Sequence, residues 1–98
     1  MADLIPECAG VLHLADKMKR TQVPEIVAAA EEMVRSHYNW AIEERERWIN
    51  AREKVEQLMK AFGENPQVTE LRHQMSDAAA CWEDCAREHS KFLESLRS

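Results

Sequence analysis

The stretch that decides the fold is Gly63-Glu64-Asn65-Pro66. Gly63 suits the left-handed position that follows the end of a helix, Asn65 suits an N-cap, and Pro66 suits the first position of a new helix. A connection this short joins two helices that lie antiparallel to each other. The sequence therefore predicts a helical hairpin that turns at these four residues.

Apolar residues recur at heptad spacing on both sides of this turn, which predicts two long helices that face each other. The first should run from about residue 23 to 62 and the second from about residue 66 to 97. Nothing between Pro24 and Phe62 breaks a helix, so we expect one helix of roughly 60 Å at 1.5 Å per residue. Its predicted seam consists of Val27, Ala30, Val34, His37, Ala41, Glu44, Trp48, Ala51, Val55, Leu58 and Phe62. The predicted seam of the second consists of Val68, Leu71, Met75, Ala78, Trp82, Cys85, His89, Phe92 and Leu96.

A shorter helix is predicted at the start of the chain, from an N-cap at Asp3 to about Arg20. We expect it to dock on a second apolar stripe of the long helix, formed by Ile26, Met33 and Trp40. The predicted fold class is all-α: a long antiparallel hairpin with a shorter helix packed on its terminal half, as an elongated three-helix bundle. Beyond the short helix the hairpin should project alone toward its tip.

Composition and charge limit the classes of function. The chain of 98 residues forms a single helical domain, residues 1–98, and carries a net charge of −5. Interspersed charges of this balance disfavour attraction to nucleic acid or anionic lipid, and no apolar run approaches the roughly 20 residues that span a bilayer. Three cysteines, an odd number, favour a reducing compartment. We expect a cytoplasmic protein without a membrane partner and without direct nucleic-acid binding.

The residues Cys81, Cys85 and His89 lie one helical turn apart and form a candidate metal site. A structural zinc site needs a fourth ligand. The candidates for it are Cys8, His37 and Glu44. We expect a turn centred on residue 65, so that facing residues of the two long helices have numbers summing to about 130. Trp48 then faces Trp82, and only the last two of these candidates lie close to Cys85 and His89. Because Cys85 and His89 occupy seam positions, a buried core explains them better, and we expect reduced cysteines, no metal and no cofactor.

Cys85 and His89 also have the residue types of a nucleophile and its base, which Glu44 could orient. An antiparallel helix pair offers no evident oxyanion hole or substrate cleft. The acidic and basic residues at 43–47 fit a solvated helix face better than paired catalytic carboxylates. We therefore expect no enzymatic activity and assign no catalytic residue.

The surface near the hairpin tip is the predicted partner-binding site. Ile42, Ile49 and Met59 are apolar, lie off the seam and extend beyond the reach of the short helix. Phe62 should close the seam at the loop, and Pro66 forms an exposed X-Pro bond. Apolar residues left uncovered in this way indicate contact with another protein or with a second copy of the chain.

The sequence thus predicts a non-enzymatic protein–protein interaction module that acts through its helical surfaces, as an adaptor, assembly factor or inhibitor. Two alternatives stay open. One is a small accessory protein of phage or mobile-element type that modulates a host enzyme. The other is a structural homodimer in which two hairpins form a four-helix bundle.

Overall fold

The computed structural model of the protein describes residues 6–97. Three helices account for nearly all of them: α1 (Pro6–Arg20), α2 (Pro24–Phe62) and α3 (Pro66–Ser95). The predicted N-cap Asp3 lies outside the described residues. The predicted all-α fold is confirmed, and the helix boundaries inside the described range agree within about two residues. No helix in this range combines the length and the hydropathy that a membrane crossing requires.

The turn at the hairpin tip forms as the sequence predicts. Asn65 caps α3, since its side-chain oxygen accepts a hydrogen bond of 2.9 Å from the backbone N–H of Gln67. Gly63 has a φ of 90°, which L side chains rarely adopt, and its N–H donates to the carbonyl of Met59 at 2.8 Å. Glycine is therefore required where the chain leaves α2.

The molecule is an elongated bundle whose far half has two helices instead of three. Its principal extents are 58 × 18 × 18 Å, and its radius of gyration is 17.4 Å, against about 13 Å for a compact domain of this size. At 1.5 Å per residue α1 is about 22 Å long and α2 about 58 Å. Helix α1 runs antiparallel to α2, with Cys8 near Ala41 and Ala15 near Ala30. The hairpin of α2 and α3 consequently projects well beyond α1.

Small residues bring the three helices together at two levels of the terminal half. One core cluster contains Ala15, Ala30 and Val34, and the other contains Cys8, Ala41, Cys85 and Ala86. The second stripe of α2 is only partly covered by α1. Met33 packs against the first cluster, whereas Ile26 and Trp40 remain 38% and 36% exposed.

Toward the tip, the buried face of α2 departs from the predicted heptad seam. Met59, predicted to lie off the seam, is 8% exposed, and Phe62, predicted to close it, is 85% exposed. An α-helix completes five turns in 18 residues, so the buried Ala41 and Met59 share a face, whereas a strict heptad drifts by about 20° per repeat. The prediction for Met59 and Phe62 was wrong because the buried face of α2 follows the period of a straight helix instead of the heptad.

The register of α2 against α3 is also shifted from the predicted pairing. Because α2 ends at Phe62 and α3 begins at Pro66, the turn is centred on Glu64, one residue before the assumed centre. The Trp82 ring packs edge to face on Trp40 with centroids 4.8 Å apart, and not on Trp48 as predicted. Nearer the tip, a guanidinium nitrogen of Arg52 donates to the Ser76 hydroxyl at 3.3 Å.

Candidate functional site

An apolar groove lies at the hairpin tip, where α2 and α3 meet without α1. Its volume is about 580 Å³. The apolar side chains that line it belong to Val55, Leu58, Met59, Phe62, Val68 and Leu71. Leu58, Phe62 and Leu71 are 49%, 85% and 50% exposed, which places in this one groove three of the seven exposed large hydrophobic residues found in the described range. The described chain does not cover them.

Charged side chains lie on one side of the groove. Glu64 lines the groove itself and also a neighbouring depression, whose other charged residues are Glu56, Lys60 and Arg72. Protein interfaces combine an apolar centre with a polar rim in this way. The tip therefore has the composition of a surface that another protein can bind.

The predicted partner-binding residues divide between this groove and other surroundings. Met59 and Phe62 both line it. Pro66 is exposed at the start of α3, next to the groove but outside its lining, and Ile49 is half-buried farther along α2. Ile42 packs against the second core cluster, so the prediction that it lacks cover was wrong.

Five groove residues that we assigned to the seam are accessible at the surface. Phe62 is the most exposed, Leu58 and Leu71 are about half exposed, and Val55 and Val68 are half-buried. With the 18-residue period of a straight helix, instead of the heptad, Leu58 lies about 100° from the buried Met59, and Phe62 lies about 60° from it at the last residue of α2. The signal was in the sequence, but it depended on the choice of period.

A second cluster of polar chemistry lies where α1 crosses the hairpin. Cys8 and Cys85 are both fully buried and are joined by a disulfide, with their Cα atoms 6.1 Å apart. Only Cys81 is free within the described chain, and it is half-buried. The prediction that all three cysteines are reduced was therefore wrong for this pair. The antiparallel docking of α1, which local patterns do not determine, brings the two sulfurs together.

His37 on α2 contacts this sulfur pair. Its Nε2 lies 3.3 Å from Sγ of Cys8. A disulfide sulfur carries no hydrogen, so the imidazole N–H is the donor in this contact. The ring also stacks on His89 with centroids 4.8 Å apart and 25° between the planes. Burial lowers the pKa of His37 and thereby favours a neutral ring, whereas the nearby Glu7 has the opposite, smaller effect.

His89 completes the cluster from α3. Its side chain is fully buried, and Nδ1 lies 2.7 Å from the backbone carbonyl of Cys85, which can only accept. Nδ1 therefore carries the proton. Burial is the largest cause of a lowered pKa for His89, and the neutral ring then has its lone pair on Nε2. That buried Nε2 has no hydrogen-bond partner. A buried acceptor without a partner is costly, so this atom is unusual in a folded core.

The ligand set that the structure assembles differs from the one considered for the sequence. Of the candidates named from the sequence, Cys8, His37 and Cys85 come together, whereas Cys81 and Glu44 lie outside this group; His89 contacts it through its ring stack on His37. The ligand atoms of Cys8, His37 and Cys85 lie within 4.8 Å of one another. Glu44 instead forms an ion pair with Arg47.

No protein family, curated protein or solved structure matches this chain in sequence or fold.

Proposed function

We propose that the chain is a non-enzymatic protein–protein interaction module and that the tip groove binds an apolar segment of another protein. The observation that carries the proposal is the exposure of Phe62, which is 85% accessible in a groove lined by further apolar side chains. A single exposed hydrophobic residue is ordinary in a monomer, but a contiguous apolar groove with a charged rim marks an interaction site.

The groove can supply enough binding energy to matter. Complete burial of a Phe or Leu side chain stabilises by about 1.5–3 kcal/mol. Scaled by the exposed fractions of Phe62, Leu58 and Leu71, a partner that covers all three gains roughly 4 kcal/mol before the costs of association. That is the size of a binding hot spot.

The shape of the groove favours a helical ligand. It lies between two antiparallel helices, so its long axis accepts an amphipathic helix whose apolar residues recur at i, i+3 or i+4, and i+7. Acidic and basic residues occur together at the rim, at Glu56, Lys60, Glu64 and Arg72. We therefore expect a partner segment with charges of both signs beside its apolar stripe.

A photoreactive amino acid introduced at position 62 in the native cell tests the proposal. The matched control carries the same group at Leu14, which is 51% exposed on α1. Leu14 lies roughly 40 Å from the tip along the α2 axis, as judged from 1.5 Å per residue. A discrete cross-linked protein specific to position 62 supports the proposal. Equal cross-linking from both positions, or none from position 62, contradicts it.

The same groove would also be covered in the structural homodimer, and sedimentation separates the two cases. We expect the purified chain to remain monomeric at micromolar concentration. A dimer that dissociates on Phe62→Ser would assign the groove to a second copy and overturn the proposal of a different partner. A dimer insensitive to that substitution would leave the groove free for another protein.

A further inference from the structure

We propose that Cys8, Cys85, His37 and His89 form a tetrahedral site for Zn²⁺ when the Cys8–Cys85 disulfide is reduced. Two thiolates and two imidazoles are one of the ligand sets of structural zinc sites. They come from all three helices, so the bound ion would hold α1 against the hairpin at the level where the disulfide holds it in the oxidised chain.

The distances between the ligand atoms suit a zinc ion. In a tetrahedral site with Zn–S near 2.3 Å and Zn–N near 2.0–2.1 Å, a sulfur and a nitrogen ligand lie about 3.5 Å apart. Sγ of Cys8 and Nε2 of His37 are 3.3 Å apart, and the ligand atoms of Cys8, His37 and Cys85 all lie within 4.8 Å of one another. The two sulfurs, once no longer bonded, need to separate to about 3.8 Å.

The hydrogen bonding of His89 provides independent support. Its Nδ1–H donates to the carbonyl of Cys85, while the buried Nε2 has no partner. Histidine ligands of metals typically donate the other ring N–H to a backbone carbonyl, which fixes the tautomer and points the lone pair at the ion. The orphaned Nε2 is therefore the atom that we assign as the fourth ligand.

Charge balance favours the ion in this buried setting. No carboxylate belongs to the ligand set, although Glu7 and Glu88 lie near enough to oppose the effect of burial on the pKa of His37 and His89. Two thiolates neutralise a divalent cation, and two neutral imidazoles add no charge, so the complete site is electrically neutral. A buried charge is tolerated only where it is compensated in this way.

The oxidised and metal-bound forms exclude each other. Reduction of the disulfide consumes two electrons, supplied in the cell by a dithiol, which becomes a disulfide as Cys8 and Cys85 gain one hydrogen each. Binding of Zn²⁺ then releases two protons from the two thiols. His37 keeps one ring proton by carrying it on Nδ1, which frees its Nε2 for the metal.

Native mass spectrometry of the full chain tests the proposal without any variant. After reduction by a phosphine and addition of zinc chloride, we expect one zinc ion per chain, with a mass gain of one zinc less two protons. The oxidised chain should take up none. If the reduced chain binds no zinc, or if the oxidised chain binds it equally well, the proposal is wrong.

Titration with Co²⁺ identifies the ligands. The reduced protein should show thiolate-to-cobalt charge transfer and the intense ligand-field bands of a tetrahedral ion, and added Zn²⁺ should remove both. Cys8→Ala and His89→Gln should each weaken Zn²⁺ binding by more than about 100-fold, beyond the 10–100-fold effect typical of outer partners. Cys81→Ala is the matched control and should change it less than twofold. Loss of binding in the control, or unchanged binding in His89→Gln, overturns the assigned ligand set.

Discussion

Truncation of Met59 to alanine should mainly lower the stability of the fold, whereas truncation of Phe62 should mainly weaken binding of a partner. Met59 is 8% exposed and lies between α2 and α3, whereas Phe62 is 85% exposed. Burial of a whole side chain of this size contributes about 1.5–3 kcal/mol. The 15% of Phe62 that is covered then accounts for less than about 0.5 kcal/mol, while nearly the full contribution of Met59 is lost.

We expect Met59→Ala to lower the free energy of unfolding by about 2 kcal/mol, at the low end for buried methionine because the tip can relax. Phe62→Ala should lower it by less than about 0.5 kcal/mol. Urea unfolding of the oxidised proteins, followed by far-ultraviolet circular dichroism, measures both. In a domain of this size the melting temperature of Met59→Ala should fall by about 10 °C. Greater destabilisation by Phe62→Ala would refute the assignment of the buried face and restore the heptad seam.

Three further predictions concern the remaining contacts. Cys8→Ala, under non-reducing conditions, should lower the free energy of unfolding by about 4 kcal/mol because the disulfide closes a loop of 77 residues; a loss below 1 kcal/mol in urea unfolding would contradict the Cys8–Cys85 bond. Asn65→Ala should cost about 1 kcal/mol through loss of the α3 cap, and an unchanged denaturation midpoint would argue against that cap. Burial lowers the pKa of His37 and His89 in the folded chain, so the unfolded chain binds protons first as the pH falls below about 6.5. The free energy of unfolding should therefore decrease as the pH falls there. A urea midpoint that rises from pH 7 to about pH 5.5 would contradict this direction.

Local signals were sufficient for the helices and their ends. The Asn65 cap, the positive φ of Gly63 and the proline at the start of α3 all follow from preferences of single residues. Such preferences act within a few bonds of the residue concerned, and they do not depend on which helix packs where. The sequence could therefore locate the tip correctly.

The sequence was a poorer guide to which residues of different helices contact each other. A drift of about 20° per heptad is small over one repeat, but it adds up over the 39 residues of α2. Near the tip it brings Met59, instead of Phe62, to the centre of the buried face. The docking of α1 is a contact between residues 77 positions apart, and no local pattern fixes its depth. For this reason the sequence-based prediction separated Cys8 from Cys85, although it placed His37 near it.

Binding of a partner in the tip groove is tested most directly with the purified partner. The affinity of that partner is measured for the Phe62→Ser variant and for the Leu14→Ser variant. Both substitutions remove an exposed apolar side chain, but only Phe62 belongs to the groove. Isothermal titration should show a dissociation constant raised about 30-fold by Phe62→Ser, which corresponds to roughly 2 kcal/mol for a hot-spot residue, and changed less than about twofold by Leu14→Ser. Unchanged affinity for Phe62→Ser, or a larger loss for Leu14→Ser, would place the binding surface on α1 and contradict the account.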